Sequence, residues 1–291
     1  MRIPPSLSSW SDWYPLRGIG RERAISPKAG LYRIRRVGRE SLDYVGQTGV
    51  SLRSRLGMLS GVYRDDMPYG DPHTAGPALW ALRDALGCEF EASVTVFDGS
   101  APERKALECL AISQHRLAYG TSPTANFGRM PDGYRKSSGN NRALVDAGKR
   151  FRGGADPSAT PSPPSEEVHG DLTSDPQSFQ WLGWDWTPWA DVEDANMNPA
   201  SVGLYRLRNR AVSDAELAYI GQGRIASRVA AHAAKGRRPD HTQSSWFGDG
   251  LEVSWAVVAE FTPTLLLEHE NDLIASHILV FERCPLAQFL G

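Results

Sequence analysis

The sequence predicts an α+β fold built twice, each copy a small, mainly antiparallel β-sheet packed with helices. Three observations carry this. A pair of short words repeats: Gly30-Leu31-Tyr32-Arg33 then Tyr44-Val45-Gly46-Gln47, and much later Gly203-Leu204-Tyr205-Arg206 then Tyr219-Ile220-Gly221-Gln222. Further landmarks keep the same order. Trp13, Pro15, Ser54 and Arg55 lie 173 residues before Trp186, Pro188, Ser227 and Arg228, and Glu108, Pro123 and Phe127 lie 162 before Glu270, Pro285 and Phe289. Within each copy, short alternating runs mix with longer runs of helical period. With 291 residues, the chain suffices for two domains that each bury a core.

In the first copy, 30–36 and 42–46 read as strands joined by a turn at 37–41. A hairpin centred on Gly38 places Tyr32 directly opposite Tyr44. In the second copy the tyrosines are 14 apart instead of 12, and both spacings are even, so one face can carry both rings. A helix over 51–60 follows, with Ser51 as N-cap. Another covers 77–86, opened by Pro77. The run 89–97 alternates as a strand and is matched by 251–259. Residues 101–117 form the strongest helix, with Leu107, Leu110 and Ala111 at helical spacing, and 264–280 correspond to it.

Between the copies, residues 151–178 are rich in Pro, Ser and acid and offer little to bury, which predicts a flexible linker. The expected domains are therefore 8–150 and 179–291. Net charge is −2, yet residues 1–155 carry +8 and residues 156–291 carry −10, about half of the latter in the linker. A basic half suits a polyanion, since neutralised phosphates release condensed counterions. Three cysteines without metal-site spacing, no long apolar run and no apolar leader after Met1 lead to the expectation of a cytoplasmic protein without membrane contact.

Taken in order, Gly-apolar-Tyr, Tyr-apolar-Gly, an Arg opening a helix, a Glu on a later helix and then an amide resemble the GIY-YIG nuclease family. The features fall on Tyr32, Tyr44, Arg55, Glu108 and Asn126, and again on Tyr205, Tyr219, Arg228, Glu270 and Gln288. The resemblance covers most of 25–130 and 200–291. Elementary chemistry agrees. Phosphodiester hydrolysis needs an oriented water, a proton acceptor and cations against the growing phosphate charge. A single carboxylate, Glu108 or Glu270, can hold one Mg²⁺ (or Mn²⁺), and the planar fork of Arg55 or Arg228 can grip phosphate oxygens.

The resemblance implies that Tyr32 and Tyr205 help deprotonate the attacking water and that Tyr44 and Tyr219 orient phosphate. It also implies a metal-dependent DNA endonuclease leaving 5′-phosphate and 3′-hydroxyl ends. Two sites in one monomer acting as a pseudo-dimer would cut both strands of a duplex, in a restriction or DNA-defence role. The alternatives are a nickase with a degenerate second copy, or a non-catalytic nucleic-acid-binding module; RNA stays open as substrate.

The copies depart from the pattern in places. Gln288 replaces the amide Asn126 and need not reach the same partner. Leu59 stands four residues after Arg55 where some restriction-type members carry His, whereas His232 keeps that position after Arg228. His73 and His241, in loops before the central strand, are turn residues or phosphate contacts. Arg33, Arg35, Arg36, Arg206, Arg208, Arg237 and Arg238 are candidate nucleic-acid contacts. The Trp-rich stretches at Trp10–Trp13 and Trp184–Trp186 fit core packing more readily than base stacking.

Overall fold

The structure, a computed structural model, describes residues 3, 9–68, 75–136, 142–213, 216–258, 260 and 262–290. It is an α+β protein with antiparallel sheets. The chain falls into two compact units whose limits do not follow the repeats: Leu7–Ser100 with Ala118–Ser165, and Met1–Ser6 with Ala101–Leu117 and Glu166–Gly291.

In the first unit, strands β1 (Tyr14–Pro15), β2 (Gly30–Arg36) and β3 (Tyr44–Thr48) precede helices α1 (Leu52–Leu59) and α2 (Ala75–Leu86), and β4 (Phe90–Val96) completes a sheet of order β1-β4-β2-β3. Ser51 caps α1, its side chain accepting from the Ser54 amide. The core joins Leu16, Ile34, Leu52, Leu56, Leu79 and Phe90. Helix α3 (Ala101–Tyr119) leaves this unit over most of its length, and the chain returns through β5 (Tyr134–Arg135), α4 (Arg142–Asp146) and β6 (Gly154–Ala155), the two strands pairing.

The second unit repeats the plan with β7 (Ala190–Asp191), β8 (Val202–Asn209), β9 (Tyr219–Arg224), α5 (Ile225–Gly236), β10 (Leu251–Val257) and α6 (Pro263–Phe281). Its sheet order, β7-β10-β8-β9, is the first sheet's order element for element. Where α2 stands in the first copy, the described residues of the second hold a single 3-10 turn, Ser244–Trp246. Gly221 lies seven residues before Arg228, against nine from Gly46 to Arg55, and the shorter link is absorbed at Gly223, whose φ of 114° takes β9 straight into α5.

Helix α6 buries polar residues along much of its length, and α3 supplies their partners. Arg116 lies with Nε 3.0 Å from one Asp272 oxygen and Nη1 3.0 Å from Glu268, all three side chains buried. Ser113 donates to Asp272 at 2.8 Å and accepts from Asn271 at 2.8 Å. This explains why 101–117 packs with the second unit although its sequence belongs to the first repeat. A buried cation and two carboxylates hold each other where neither could stay alone.

Three expectations are corrected. The segment 151–178 is not a loose linker. Residues 154–165 are tied to the first unit by the β5–β6 pair, by Arg129 donating to the Pro163 carbonyl and by the Met130 amide on Ser162 Oγ at 3.1 Å. Residues from Glu166 belong to the second unit, with Leu172 buried and the carbonyls of Pro176 and Ser178 accepting from Arg206 at 2.5 and 3.0 Å. Low apolar content did not predict these anchors because they are backbone and hydroxyl groups.

The hairpin register also differs. Tyr32 pairs with Gly46, and Tyr44 with Ile34; in the second copy Tyr205 pairs with Gly221 and Tyr219 with Leu207. The tyrosines share a face but sit diagonally, two residues out of opposition. The reason is space. A Cβ at Gly46 would stand 2.6 Å from the Tyr32 hydroxyl, so the glycine of Tyr-apolar-Gly is the floor on which the first ring lies. The third correction, to the proposed arginine contacts, follows with the site.

Candidate active site

The second unit brings five of the sequence-selected residues together. Strand alternation puts Tyr205 on β8 and Tyr219 on β9 on one face, ring centroids 6.3 Å apart. Helix α5 lays His232 against both: its Nε2 is 3.0 Å from the Tyr205 hydroxyl and its ring 4.4 Å from Tyr219. Phe247 closes the other side, 4.8 Å from His232. One turn earlier on α5, Arg228 is exposed, and α6 presents Glu270 close enough for its charge to act on both tyrosines.

The electrostatics divide this group in two. Burial, then the charges of Tyr219 and Glu270, pushes the Tyr205 phenol far up, against the pull of Arg228. Burial, then Lys235 and Arg228, holds the His232 imidazole down to about 4. At neutral pH the pair is therefore a protonated phenol beside a neutral imidazole. With the ring proton on Nδ1, Nε2 accepts from Tyr205. Tyr219, Arg228 and Glu270 are different. No hydrogen bond or ion pair among the described residues engages the Tyr219 hydroxyl, the Arg228 guanidinium or the Glu270 carboxylate. Burial pushes Glu270 up to about 7, with Arg228 opposing. Three uncommitted groups of complementary character thus surround one committed pair.

The first copy is less complete within its own unit. Tyr32 and Tyr44 adopt the same arrangement, centroids 6.0 Å apart, and Arg55 is half-buried on α1. The His position is filled by Leu59, buried in the core. Glu108 lies on the stretch of α3 that belongs to the other unit. His73 lies outside the described residues.

The terminal amides serve the strands. Asn126 Oδ1 accepts from the Val45 amide and Nδ2 donates to the Val45 carbonyl, both at 2.9 Å. Gln288, despite its extra carbon, accepts from the equivalent Ile220 amide at 3.0 Å. The longer Gln288 thus does reach the equivalent partner. The loops match as well, since Phe127 and Phe289 both adopt left-handed backbone, φ 57° and 63°, uncommon for so bulky a residue. Both amides hold the Tyr-apolar-Gly strand in place from behind.

The arginines next to the first tyrosines turn away from the site, because alternation sends them to the opposite face. Arg33 stacks over Trp10 and Trp13 at 4.6 and 4.7 Å, and Arg35 over Trp13 at 3.9 Å while paired with Glu91. In the second copy Arg206 lies over Trp186 and Trp189 at 4.5 and 4.7 Å, fully buried, and Arg208 over Trp189 at 4.2 Å while paired with Glu252. Arg36 pairs with Asp43. The Trp-rich stretches are thus the cover for two arginine ladders. Arg206 and Arg208 are too buried to reach a phosphate. Arg237 and Arg238 are exposed, and His241 Nδ1 accepts from the Gln243 amide, a turn contact.

Sequence reasoning singled out the tyrosines, Arg228, His232 and Glu270, but not Phe247, whose aromatic contact with Tyr219 and His232 comes from a loop without a repeated word. Comparison with family models, curated proteins and solved structures finds no match for this chain.

Proposed function

We propose that this chain is a metal-dependent nuclease of the GIY-YIG type, hydrolysing DNA phosphodiesters, with its better-equipped site in the second copy. The single observation behind this reading is the convergence of Tyr205, Tyr219, Arg228, His232 and Glu270 within one unit. In it, Arg228 grips the non-bridging oxygens and Tyr219 donates to the same phosphate. Tyr205 contacts the attacking water and passes its own proton to His232 Nε2. The pull is unfavourable in the free protein, where the phenol is high and the imidazole low. A phosphate dianion-like transition state beside His232 would raise the imidazole, and a bound cation would lower the phenol, easing the transfer.

A hard divalent cation, Mg²⁺ or Mn²⁺, fits Glu270. Its carboxylate is an oxygen donor without a hydrogen-bond or ion-pair partner among the described residues, and burial makes its charge costly until a cation offsets it. When bound, such an ion would supply Lewis-acid stabilisation of the charge that builds on the phosphate. With both sites working, one chain cuts both strands.

A nickase is the second reading, favoured by Leu59 in the first copy, which occupies the helix position that His232 holds in the second. Supercoiled plasmid with Mg²⁺ or Mn²⁺ separates the readings, using wild type beside Glu108→Ala, Glu270→Ala and the double variant. Linear product from wild type and nicked circles from each single variant support two sites. Nicking lost only with Glu270→Ala supports a working second copy alone. Tight DNA binding without cleavage of any duplex, branched or modified substrate sinks the nuclease reading.

A further inference from the structure

Outside this site, three potential metal ligands meet within the second unit. Glu166 and His169 come from the segment that leads into the unit, and His269 from α6. Their ligand atoms all lie within 4.8 Å of one another. Glu166 Oε2 is 3.3 Å from His269 Nε2 and 3.6 Å from His169 Nε2, so one carboxylate oxygen faces two imidazole nitrogens. These separations are long for charge-assisted N–H···O bonds, which run about 2.7–2.9 Å. These two separations match edges of a tetrahedron around Zn²⁺, roughly 3.3–3.6 Å for bonds of about 2.0–2.2 Å.

The rings are held in ligand-ready orientation. His169 stacks on Trp184, centroids 4.5 Å apart and planes 5° from parallel, and His269 meets both rings edge-on at 4.9 and 5.0 Å. The nearby Arg116 charge is matched by Glu268 and Asp272. His269 is almost fully buried, whereas His169 and Glu166 are about two-fifths exposed, 39% and 40%, which gives an ion a route in and leaves a fourth position open to water.

We propose that Glu166, His169 and His269 bind a borderline divalent transition metal, Zn²⁺ above all, and that the ion clamps the segment entering the second unit onto α6. Two imidazoles and one carboxylate select Zn²⁺ over Mg²⁺, which prefers oxygen donors throughout. Adjacent residues on a helix point about 100° apart, so His269 and Glu270 serve separate ions. The ion is a staple: it replaces apolar burial that this Pro- and Ser-rich segment lacks.

The test uses the full chain without a histidine tag, stripped by chelator, dialysed and given Zn²⁺, with bound metal measured by mass spectrometry and affinity by competition with a chelating dye. One Zn²⁺ per chain is expected, along with a rise in Tm and, with Co²⁺ instead, the intense visible absorption of a tetrahedral site. His169→Ala and Glu166→Gln, both at exposed positions, weaken binding by at least about tenfold and abolish the Tm rise. Glu270→Gln leaves Zn²⁺ binding intact. No stoichiometric Zn²⁺, equal binding by His169→Ala, or loss only with Glu270→Gln overturns the proposal. None of these readouts needs DNA cleavage, so the site stands or falls apart from the nuclease reading.

Discussion

Tyr205 and His232 share a hydrogen bond of 3.0 Å between the phenol oxygen and Nε2, and in the first copy the corresponding turn of α1 carries Leu59. The two copies thus agree in the placement of their tyrosines and differ in what stands behind the first one. His232→Leu recreates the first copy's arrangement in the second. Cleavage assigned to the second site should fall by roughly 10²–10⁴, the usual range for losing a positioned acid–base group, while substrate binding changes little. Plasmid cleavage in a Glu108→Ala background isolates that site. An unchanged rate removes His232 from the mechanism.

Gly221 and Gly46 should resist even alanine. A Cβ at either position runs into the hydroxyl end of Tyr205 or Tyr32, so the ring must leave its place on the strand. Overpacking of this kind typically costs about 1–3 kcal/mol. Urea melts of Gly221→Ala should show that loss, and cleavage by the second site should fall by more than the folded fraction does. Gly46→Ala should show the same in the first unit.

Burial makes the Glu270 carboxylate costly to stability. Its folded pKa, raised from 4.5 to about 7 chiefly by burial, means that the folded state holds the proton more tightly than the unfolded chain. That contribution is fully present below about pH 4.5 and is lost as pH rises through about 7. Glu270→Gln removes the carboxylate and its pH dependence. It should stabilise the protein at pH 8, by at most roughly 3 kcal/mol and less where water reaches the carboxylate, and make little difference near pH 4. Mg²⁺ should raise the Tm of wild type at pH 8 and not that of Glu270→Gln. A variant less stable than wild type at pH 8 contradicts the burial cost.

Arg116 holds α3 to α6 through Glu268 and Asp272. Arg116→Met removes the guanidinium that two buried carboxylates share and should cost about 3–5 kcal/mol at pH 8. Asp272 is already raised to about 6 with the arginine present, burial outweighing its pull. Without Arg116 the Asp272 carboxyl takes up a proton more readily, so the deficit should shrink at pH 5. Denaturant titrations at the two pH values decide it. A deficit that stays constant with pH means that the carboxylates are not what Arg116 holds.

Much of this protein is written in its repeats. Two tyrosines at even spacing on paired strands, a Ser-capped helix with an arginine, and a helix with a glutamate fixed the order of elements and named most of the site, because alternation and helical period are local properties. Parity even placed both tyrosines on one face. Three further matters were decided only in three dimensions. The register followed the room that a glycine leaves under a ring, since a two-residue shift keeps parity and leaves no trace in the pattern. The arginines of β2 and β8 were claimed by tryptophans distant in sequence, and charge alone does not reveal its partner. Helix α3 went to the unit that could neutralise Arg116. Local periodicity determined which elements form and which face each side chain takes. Long-range desolvation, which makes a buried charge costly unless a compensating partner meets it, decided where those elements pack.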